Sequence, residues 1–256
     1  DSVLRAAQGA EAIVNLVGIL APSGRQSFDA VHSFGARAIA TAAAEVGAGL
    51  VHVSAIGADA KAKAHYARTK GEGEQLVREI VPGSVILRPS LVFGPEDEFF
   101  NRFAGMSRLS PFLPLIGGGE TRFQPVFVGD VAAAVERAVD GKAAAGTTYE
   151  LGGPEVQTFK ELMELMLREI GSERVLLPLP FGAADLMARV LEKLPMSLLT
   201  RDQVAMLHFD NVVSAEASAE QRTLQGLGIA PASMSSVLPS YLWRFRKAGQ
   251  FTRVET

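Results

Sequence analysis

The stretch Ala12-Ile13-Val14-Asn15-Leu16-Val17-Gly18 is an apolar run bounded by glycines, with Gly9 before it and Gly18 at its end. A short run of this kind predicts a strand that is buried on both faces, as in a parallel sheet. A short helix is predicted before it at residues 2–8, and a long alanine-rich helix after it at residues 28–46. The next apolar run, residues 50–54, predicts a second strand, and this order of elements indicates a βαβ unit.

The same alternation continues along the chain. A helix at residues 65–80 is stopped by Pro82-Gly83, and a strand at residues 84–89 is closed by a proline. A helix from Val131 to Val139, with Asp130 as its N-cap, and a strand at residues 147–151 follow. The fold class predicted is α/β, a Rossmann-like doubly wound parallel sheet with a smaller, mainly helical C-terminal region. The expected division is residues 1–94 and 125–153 for the dinucleotide-binding domain, and residues 95–124 and 154–256 for the C-terminal substrate or docking region.

Composition excludes several classes of function. The 256 residues are 48% hydrophobic, which suffices for a large core, and 25 Lys plus Arg against 28 Asp plus Glu leave a net charge of −3. We therefore expect no nucleic acid partner. The chain has no cysteine, and its four histidines lack the spacing of a zinc site, so we expect no metal. No apolar run approaches the roughly 20 residues of a spanning helix, which predicts a soluble or peripheral protein.

The sequence Tyr66-Ala67-Arg68-Thr69-Lys70 places a tyrosine and a lysine on one face at the start of a predicted helix. A nearby ammonium favours the phenolate, so a tyrosine whose pKa is ordinarily about 10 can act as an acid or base at neutral pH. Ser54, at the end of the preceding strand, is suited to hydrogen-bond a substrate carbonyl or the phenol. Tyr-x-x-x-Lys also occurs by chance in many helices, but its position after a strand-end serine favours a cofactor site.

Other features have plainer interpretations. The pair of Lys70 and Glu74, spaced i,i+4, is predicted to be surface support for the helix. His65 beside Tyr66 could be a proton relay, but a solvated histidine at a loop edge is the simpler interpretation. Gly117-Gly118-Gly119 opens no strand-turn-helix and is predicted to be a flexible loop.

Several motifs together resemble the extended or atypical short-chain dehydrogenases/reductases. They are Asn15-Leu16-Val17-Gly18, Ser54, Tyr66 with Lys70, the stretch from Arg88 to Pro95, Val128-Gly129-Asp130-Val131 and the stretch from Tyr149 to Pro154. More narrowly, the chain is similar to the nucleotide-binding accessory subunit of respiratory complex I. That likeness is carried by residues 53–59, 94–97, 99–106, 124–128 and 199–204.

The resemblance implies a cofactor and its contacts. Leu16, Val17 and Gly18 would border the adenosine and ribose, while Tyr66 and Lys70 would reach the nicotinamide ribose. The carboxamide would meet the backbone after the third strand. The implied cofactor-binding set is Leu16, Val17, Gly18, Ser54, Tyr66, Lys70, Pro89, Ser90 and Leu91. The implied cofactor is NADPH held as a structural element, with NADH as the alternative. The family's glycine-rich phosphate loop is expected in a further N-terminal segment of about 60–70 residues, by comparison with the usual βαβαβ half.

The function implied is that of an accessory subunit of complex I that holds NADPH and supports assembly and stability without catalysing a reaction itself. Its expected partners are other complex I subunits near the junction of the quinone-site arm with the membrane, with a lipid-headgroup contact. Its expected location is peripheral, on the cytoplasmic face of a bacterial inner membrane or the matrix side of the mitochondrial one. The alternatives are a free-standing NAD(P)H-dependent reductase, epimerase or dehydratase that uses Tyr66, Lys70 and Ser54, and a nucleotide sensor that only binds.

The C-terminal third leaves two interpretations open. An amphipathic run through Leu186, Val190, Leu191 and Leu194 either covers the open side of the sheet or docks on a partner protein or membrane. The closing segment, residues 241–247, mixes aromatic and cationic side chains. It suits either an interface with lipid headgroups or an ordinary amphipathic last helix.

Overall fold

Four short parallel strands form the central sheet of the protein. They are β1 (Ala12–Asn15), β2 (Gly49–Val53), β3 (Val85–Pro89) and β4 (Thr148–Leu151). They lie side by side in the order β1-β2-β3-β4. Their helices are α1 (Ser2–Ala7), α2 (Gly35–Val46), α3 (His65–Ile80) and α4 (Val128–Val139). The predicted α/β parallel sheet with flanking helices is confirmed.

The computed structural model describes residues 2–192, 199–247 and 249, and within them the chain divides into two compact units. The first unit contains residues 1–90, 130–151 and 213–230, and the second contains residues 91–129, 152–212 and 231–256. The division expected from the sequence left residues 213–230 in the C-terminal region.

Hydrogen bonds to β4 explain why residues 213–230 belong to the first unit. The Glu150 carboxylate accepts the Ser214 N–H at 2.8 Å, and the Glu150 N–H donates to the Arg222 carbonyl at 2.9 Å. The Arg222 guanidinium donates to the Thr148 carbonyl at 2.9 Å. These bonds cover the free edge of the last strand, which would otherwise expose unpaired backbone groups.

Small side chains let α2 pack closely in the first unit. Ala36, Ala40 and Ala43 recur on one face of the helix and pack with Leu50 of β2 and Val77 of α3. The helix ends at Gly47, whose φ of 71° is the left-handed conformation that glycine adopts without strain.

The helix predicted at residues 28–46 begins with a π-helical segment, Asp29–Phe34. The N–H of Gly35 donates to the carbonyl of Ala30, five residues back, which is the π-type bond. Single π turns are rare and are found mostly at functional sites. The sequence predicted the helix but not this wider turn.

The N-cap predicted for α4 is wrong. Asp130 does not cap the helix, because the helix already begins at Val128 and Asp130 lies in its first turn.

The predicted loop Gly117–Gly119 is a tight turn in which all three glycines have positive φ, at 63°, 74° and 82°, and Gly119 is buried.

The second unit has a core of its own. Phe93, Phe100, Leu113, Leu162 and Met163 are among its fully buried members. Its helices are Phe100–Leu109, Phe159–Ile170, Phe181–Leu191, Arg201–Met206, Met234–Val237 and Pro239–Leu242, with 3₁₀ turns at Gly117–Gly119 and Trp243–Phe245. Its strands are Val92–Phe93, Phe112–Ile116, Arg122–Phe123, Val126–Phe127, Gln157–Thr158 and Val175–Leu179. The first unit also contains a short helix at Ala215–Ala219 and a 3₁₀ turn at Gln225–Leu227.

The strand Val175–Leu179 interrupts the C-terminal region that the sequence predicts to be mainly helical. It pairs in parallel with Phe112–Ile116. Prolines at positions 178 and 180 lack a backbone donor and would interrupt a helix that began several residues earlier, and the helix starts at Phe181 with Pro180 as its N-cap. The predicted Leu194 lies outside the described residues.

Gly73 allows α3 to pack closely against the π-helical segment Asp29–Phe34. A Cβ on residue 73 would lie 2.3 Å from the carbonyl oxygen of His32, and this backbone atom cannot shift unless the whole segment moves. By contrast, Gly105, in the helix Phe100–Leu109, has nothing within 4 Å of such a Cβ. The two glycines therefore separate the effect of close packing from that of helix propensity.

We expect Gly73→Ala to lower the free energy of unfolding by about 1–3 kcal/mol, because the added methyl forces the π segment away. The control Gly105→Ala should raise it by about 0.5–1 kcal/mol, because alanine is the better helix former. Thermal denaturation followed by circular dichroism measures both. A Gly73→Ala variant as stable as Gly105→Ala would contradict the close approach of α3.

Candidate functional site

The chain leaving β1 is turned by the side chain of Asn15, which is buried. Its Oδ1 accepts the Val17 N–H at 3.1 Å, and its Nδ2 donates to Nδ1 of His52 on the neighbouring strand at 2.9 Å. The turn leaves the side chains of Leu16 and Val17 exposed, at 66% and 56%. Two of the three residues predicted to border the adenosine are therefore open at the carboxyl end of β1.

Lys70 is buried beside this turn, although lysine is among the residues least often found inside proteins. It is only 6% exposed, and its Nζ donates to the carbonyl of Val53, at the end of β2, at 3.3 Å. Gly18 faces it closely, since a Cβ on residue 18 would lie 3.2 Å from Nζ. The missing side chain lets the β1 turn lie directly against the ammonium. We call Gly18 and Lys70, which meet at the carboxyl ends of β1 and β2, the Lys70 corner.

His32, in the π segment, joins the β1 turn to α3. Its Nε2 accepts the Ile19 N–H at 3.1 Å, and its Nδ1 lies 3.1 Å from Oγ1 of Thr69. The Thr69 hydroxyl donates to backbone carbonyls of its own helix, His65 at 2.9 Å and Tyr66 at 3.2 Å. Its oxygen is then the acceptor for His32, which must carry its proton on Nδ1.

Two neutral histidines surround the ammonium. Burial, followed by the charge of Lys70, lowers the pKa of His32 to about 4. The same two causes lower the pKa of His52 to about 4. At neutral pH, Lys70 is therefore the cation of this group. The Nε2 of His52 and the Oγ of Ser54 are buried without a hydrogen-bond partner among the described residues.

Tyr66 lies at the edge of the same cluster. Its half-buried ring makes edge-on contacts with the rings of Phe28, at 5.9 Å between centroids, and His32, at 5.3 Å. Ser54 is buried directly after β2, and its N–H donates to the Leu87 carbonyl at 2.7 Å. Lys70 reaches the residue before Ser54 through the Val53 carbonyl.

The interpretation of Lys70 and Glu74 as a surface pair is wrong, because both side chains are buried against the sheet. The Glu74 carboxylate accepts two hydrogen bonds from Arg88 of β3, at 2.9 and 2.7 Å. The Nη1 atom of Arg88 also lies 3.7 Å from Oε1 of Glu150 on β4. Burial lowers the pKa of Lys70 to about 8, although the charge of Glu74 acts in the opposite direction. Spacing along a helix showed that the two residues share a face but not which face it is.

Pro89, Ser90 and Leu91, which the resemblance assigns to the cofactor, lie at and directly after the end of β3. The Pro89 carbonyl accepts the Ile56 N–H at 3.0 Å, and the Ser90 N–H donates to the Leu151 carbonyl at 2.9 Å. Leu91 belongs to the second unit, where its carbonyl accepts the Val126 N–H at 2.9 Å. Pro89 and Ser90 are thus ordered by the sheet, and Leu91 is held separately.

Sequence reasoning missed the roles of Asn15, His32, His52 and Thr69. A signal existed for two of them, because a polar residue inside an otherwise apolar strand is buried at a cost unless it has a partner. Asn15 and His52 are such residues, and they are direct neighbours in the register of β1 and β2. His32 and Thr69 carried no comparable signal, since each lies on a helix whose inward face the sequence does not specify.

This arrangement is suited to bind a polar ligand at the carboxyl ends of the strands, where open parallel sheets bind theirs. It offers a buried ammonium donor, the ring of Tyr66 in the same cluster and exposed apolar side chains on the adjacent turn. No helix in the described ranges is long and apolar enough to cross a membrane.

Curated relatives match almost the whole chain. A mitochondrial NADH dehydrogenase [ubiquinone] 1 alpha subcomplex subunit 9 from Arabidopsis thaliana is 34% identical over 97% of this chain and 64% of its own length. A mitochondrial NADH-ubiquinone oxidoreductase 40 kDa subunit from Neurospora crassa is 32% identical over 96% of this chain and 64% of its own length. The chain thus spans less than two thirds of these relatives.

Solved structures share the fold. A dTDP-glucose 4,6-dehydratase from Streptomyces venezuelae, crystallised with NAD and TYD, superposes with a TM-score of 0.70 at 19% identity. The match covers 95% of this chain and 75% of that one. The family model described as the RmlD substrate binding domain matches residues 21–190, more than half of the chain. The parallel sheet, the Tyr66–Lys70 helix and these matches agree, and the chain belongs to the RmlD substrate binding domain family, a family of short-chain dehydrogenase/reductase type.

Proposed function

We propose that this protein is an accessory subunit of respiratory complex I that holds NADPH as a structural cofactor and supports the assembly and stability of the complex. The observation that carries the proposal is the Lys70 corner, where a buried ammonium faces a glycine at the end of the first strand. The names of the curated relatives supply the assembly.

The residues of the corner fit the sugar of a dinucleotide. The ammonium of Lys70 has three donors, one of which is used by the Val53 carbonyl, so it can also bind ribose hydroxyls. Tyr66 would bind the same ribose, Leu16, Val17 and Gly18 would border the adenosine side, and Ser54 completes the set. Pro89, Ser90 and Leu91 are assigned to the carboxamide. When bound, NADPH supplies a hydride donor, as NADH also would.

The proposed partners are other complex I subunits near the junction of the quinone-site arm with the membrane. The location is peripheral, on the cytoplasmic face of a bacterial inner membrane or the matrix side of the mitochondrial one. Support comes from the helix Phe181–Leu191, which buries Ala184 and Ala188 but exposes Leu186 and Val190, at 66% and 63%. Exposed leucine and valine on one helix are suited to a partner or a lipid surface.

The closing segment offers little to lipid headgroups by comparison. Tyr241 and Leu242 are buried in the core of the second unit. Arg246 donates to the Glu169 carbonyl at 2.7 Å, and Arg244 bonds to the Pro95 carbonyl at 2.6 Å. A headgroup contact is therefore assigned to the exposed face of helix Phe181–Leu191.

A second candidate is a free-standing NAD(P)H-dependent reductase, epimerase or dehydratase. It is favoured by the Oγ of Ser54, which is buried without a hydrogen-bond partner among the described residues, so that its hydrogen-bonding capacity is unused. In that case Tyr66 is the general acid or base, Lys70 tunes it and Ser54 orients the substrate.

We expect the native protein to migrate with an NADH-oxidising assembly when membranes are solubilised in mild detergent and separated by size. The reason is that an accessory subunit is held by its neighbours. Blue-native electrophoresis with in-gel NADH oxidation and an antibody to this protein measures it. Recovery solely as a small soluble species, with intact assembly elsewhere on the gel, would contradict the proposal.

We expect the dissociation constant of NADPH to be steady between about pH 6.5 and 8, where His32 is neutral, and to rise above pH 8, because Lys70, with its pKa of about 8, loses its charge there. Lys70→Met should weaken binding about 10- to 100-fold at pH 7 and remove this pH dependence. Nicotinamide fluorescence of the full-length protein measures both, with NADH as a competitor.

The matched control is Lys142→Met, which removes an exposed lysine paired with Asp140. It should leave the dissociation constant and its pH dependence unchanged. Equal weakening by both substitutions would contradict a specific role for Lys70.

Tyr66→Phe separates the two candidate functions. A structural holder should keep its cofactor and its place in the assembly, since only one hydroxyl is lost. An enzyme should lose most of its turnover, about 100-fold or more, because the acid or base is gone. NADPH oxidation with candidate carbonyl substrates is the measurement, and substrate-dependent turnover that Tyr66→Phe abolishes would favour the reductase.

A further inference from the structure

We propose that His32 is a positioning residue that holds the Gly18–Ile19 turn against α3 and so sets how closely Gly18 lies to Lys70 in the Lys70 corner. The inference rests on the proposed function, because the corner is where we assign the dinucleotide. No motif in the sequence pointed to His32.

Both ring nitrogens of His32 are used, one on each side of the gap. Nε2 accepts the Ile19 N–H at 3.1 Å, and Nδ1 donates to Thr69 Oγ1 at 3.1 Å. The imidazole therefore bridges the turn after β1 and the helix that carries Lys70. The turn itself is open, with Leu16 and Val17 exposed, so this bridge acts on a segment that packing holds weakly.

The ring is anchored where it lies. The ring of Phe28 stacks on it at 5.4 Å between centroids, and the ring of Tyr66 meets it edge-on at 5.3 Å. Its backbone is fixed by the π segment and by Gly73, whose missing Cβ lets α3 approach the His32 carbonyl. A side chain held from three sides transmits its position to whatever it bonds.

The Nε2 atom of His32 also lies close to Gly18. A Cβ on residue 18 would lie 3.7 Å from Nε2 of His32 and 3.2 Å from Nζ of Lys70. Moving the turn away from His32 moves Gly18 away from Lys70. A ligand that contacts both the turn and the ammonium then loses one of these contacts.

The bridge requires a neutral imidazole, because a protonated Nε2 cannot accept from Ile19. The groups that face His32 are Lys70, His65 and Tyr66 from α3, Asp29 from its own helix and His52 from β2. Burial and Lys70 outweigh Asp29, and the pKa of His32 falls to about 4 from an ordinary 6.5. Between pH 6.5 and pH 4, His32 is protonated in the unfolded chain but not in the folded one. The free energy of unfolding therefore decreases as the pH falls from 6.5 towards 4.

Two conservative substitutions separate the two bonds. The amide of glutamine can place its oxygen where Nε2 lies, whereas the amide of asparagine can place its nitrogen where Nδ1 lies. His32→Gln therefore keeps the acceptor for Ile19, and His32→Asn keeps only the donor to Thr69. His65→Gln is the matched control, since His65 is a neighbouring histidine that pairs with Asp29.

The first measurement is hydrogen exchange of the Ile19 amide by NMR at pH 7. We expect protection in the wild-type protein, in His32→Gln and in His65→Gln, and exchange about five- to tenfold faster in His32→Asn, the effect of one lost hydrogen bond. An unprotected Ile19 amide in the wild type, or equal exchange in all four proteins, would overturn the inference. Equal melting temperatures of the two His32 variants would show that a difference in Ile19 exchange does not come from a general loss of structure.

The second measurement is the dissociation constant of NADPH for the same four proteins. It should rise about fivefold or more in His32→Asn and stay within about twofold in His32→Gln and His65→Gln. Equal weakening in both His32 variants, with Ile19 exchange unchanged, would sink the positioning role. If the wild type binds no dinucleotide while the exchange pattern holds, the proposed function fails and the bridge between turn and helix stands.

Discussion

The first unit depends on the burial of one ammonium group. Lys70 lies inside the protein next to the ends of β1 and β2, where water is largely excluded. Burying a charge is costly unless polar partners replace its hydration. Because of this cost, burial lowers the pKa of Lys70 and of the two nearby histidines, His32 and His52. The structure resolves the conflict by keeping His32 and His52 neutral, so that a single cation remains.

The opposite charge that makes this burial tolerable is shared with the sheet. Glu74, one turn after Lys70, is held by two hydrogen bonds from Arg88 of β3. Burial alone would lower the pKa of Arg88, but its bonds to Glu74 and the nearby Glu150 raise it, so Arg88 stays charged. Glu150 in turn accepts the Ser214 N–H. Hydrogen bonds and ion pairs thus link Glu74 to the third and fourth strands and to residues 213–230. A substitution of Glu74 would therefore change the pKa of Lys70, which the charge of Glu74 raises.

Much of this fold could be predicted from the sequence, because its signals are local. Apolar runs between glycines marked β1 and β2, and Pro82-Gly83 marked the end of α3 within three residues. What could not be predicted depends on contacts between distant residues. The inward face of Lys70 and Glu74, the π turn at His32 and the return of residues 213–230 to β4 each need a partner far along the chain. Two-residue strands and the strand Val175–Leu179 are likewise fixed by pairing.

Holding a cofactor and turning over a substrate place different demands on the same corner. A holder needs donors that match the bound ground state, which the Lys70 ammonium provides at neutral pH. An enzyme also needs a group that exchanges a proton with the substrate near that pH. His32 cannot serve, because both of its nitrogens are bonded, and His52 is buried on the inner strand β2 with a pKa of about 4. Lys70, with a pKa of about 8, is the group of the corner that titrates nearest to neutral pH, and it is the neighbour that would tune Tyr66 in the enzyme that we consider as the second candidate. The difference between the two proposals is whether a substrate reaches the Tyr66 hydroxyl.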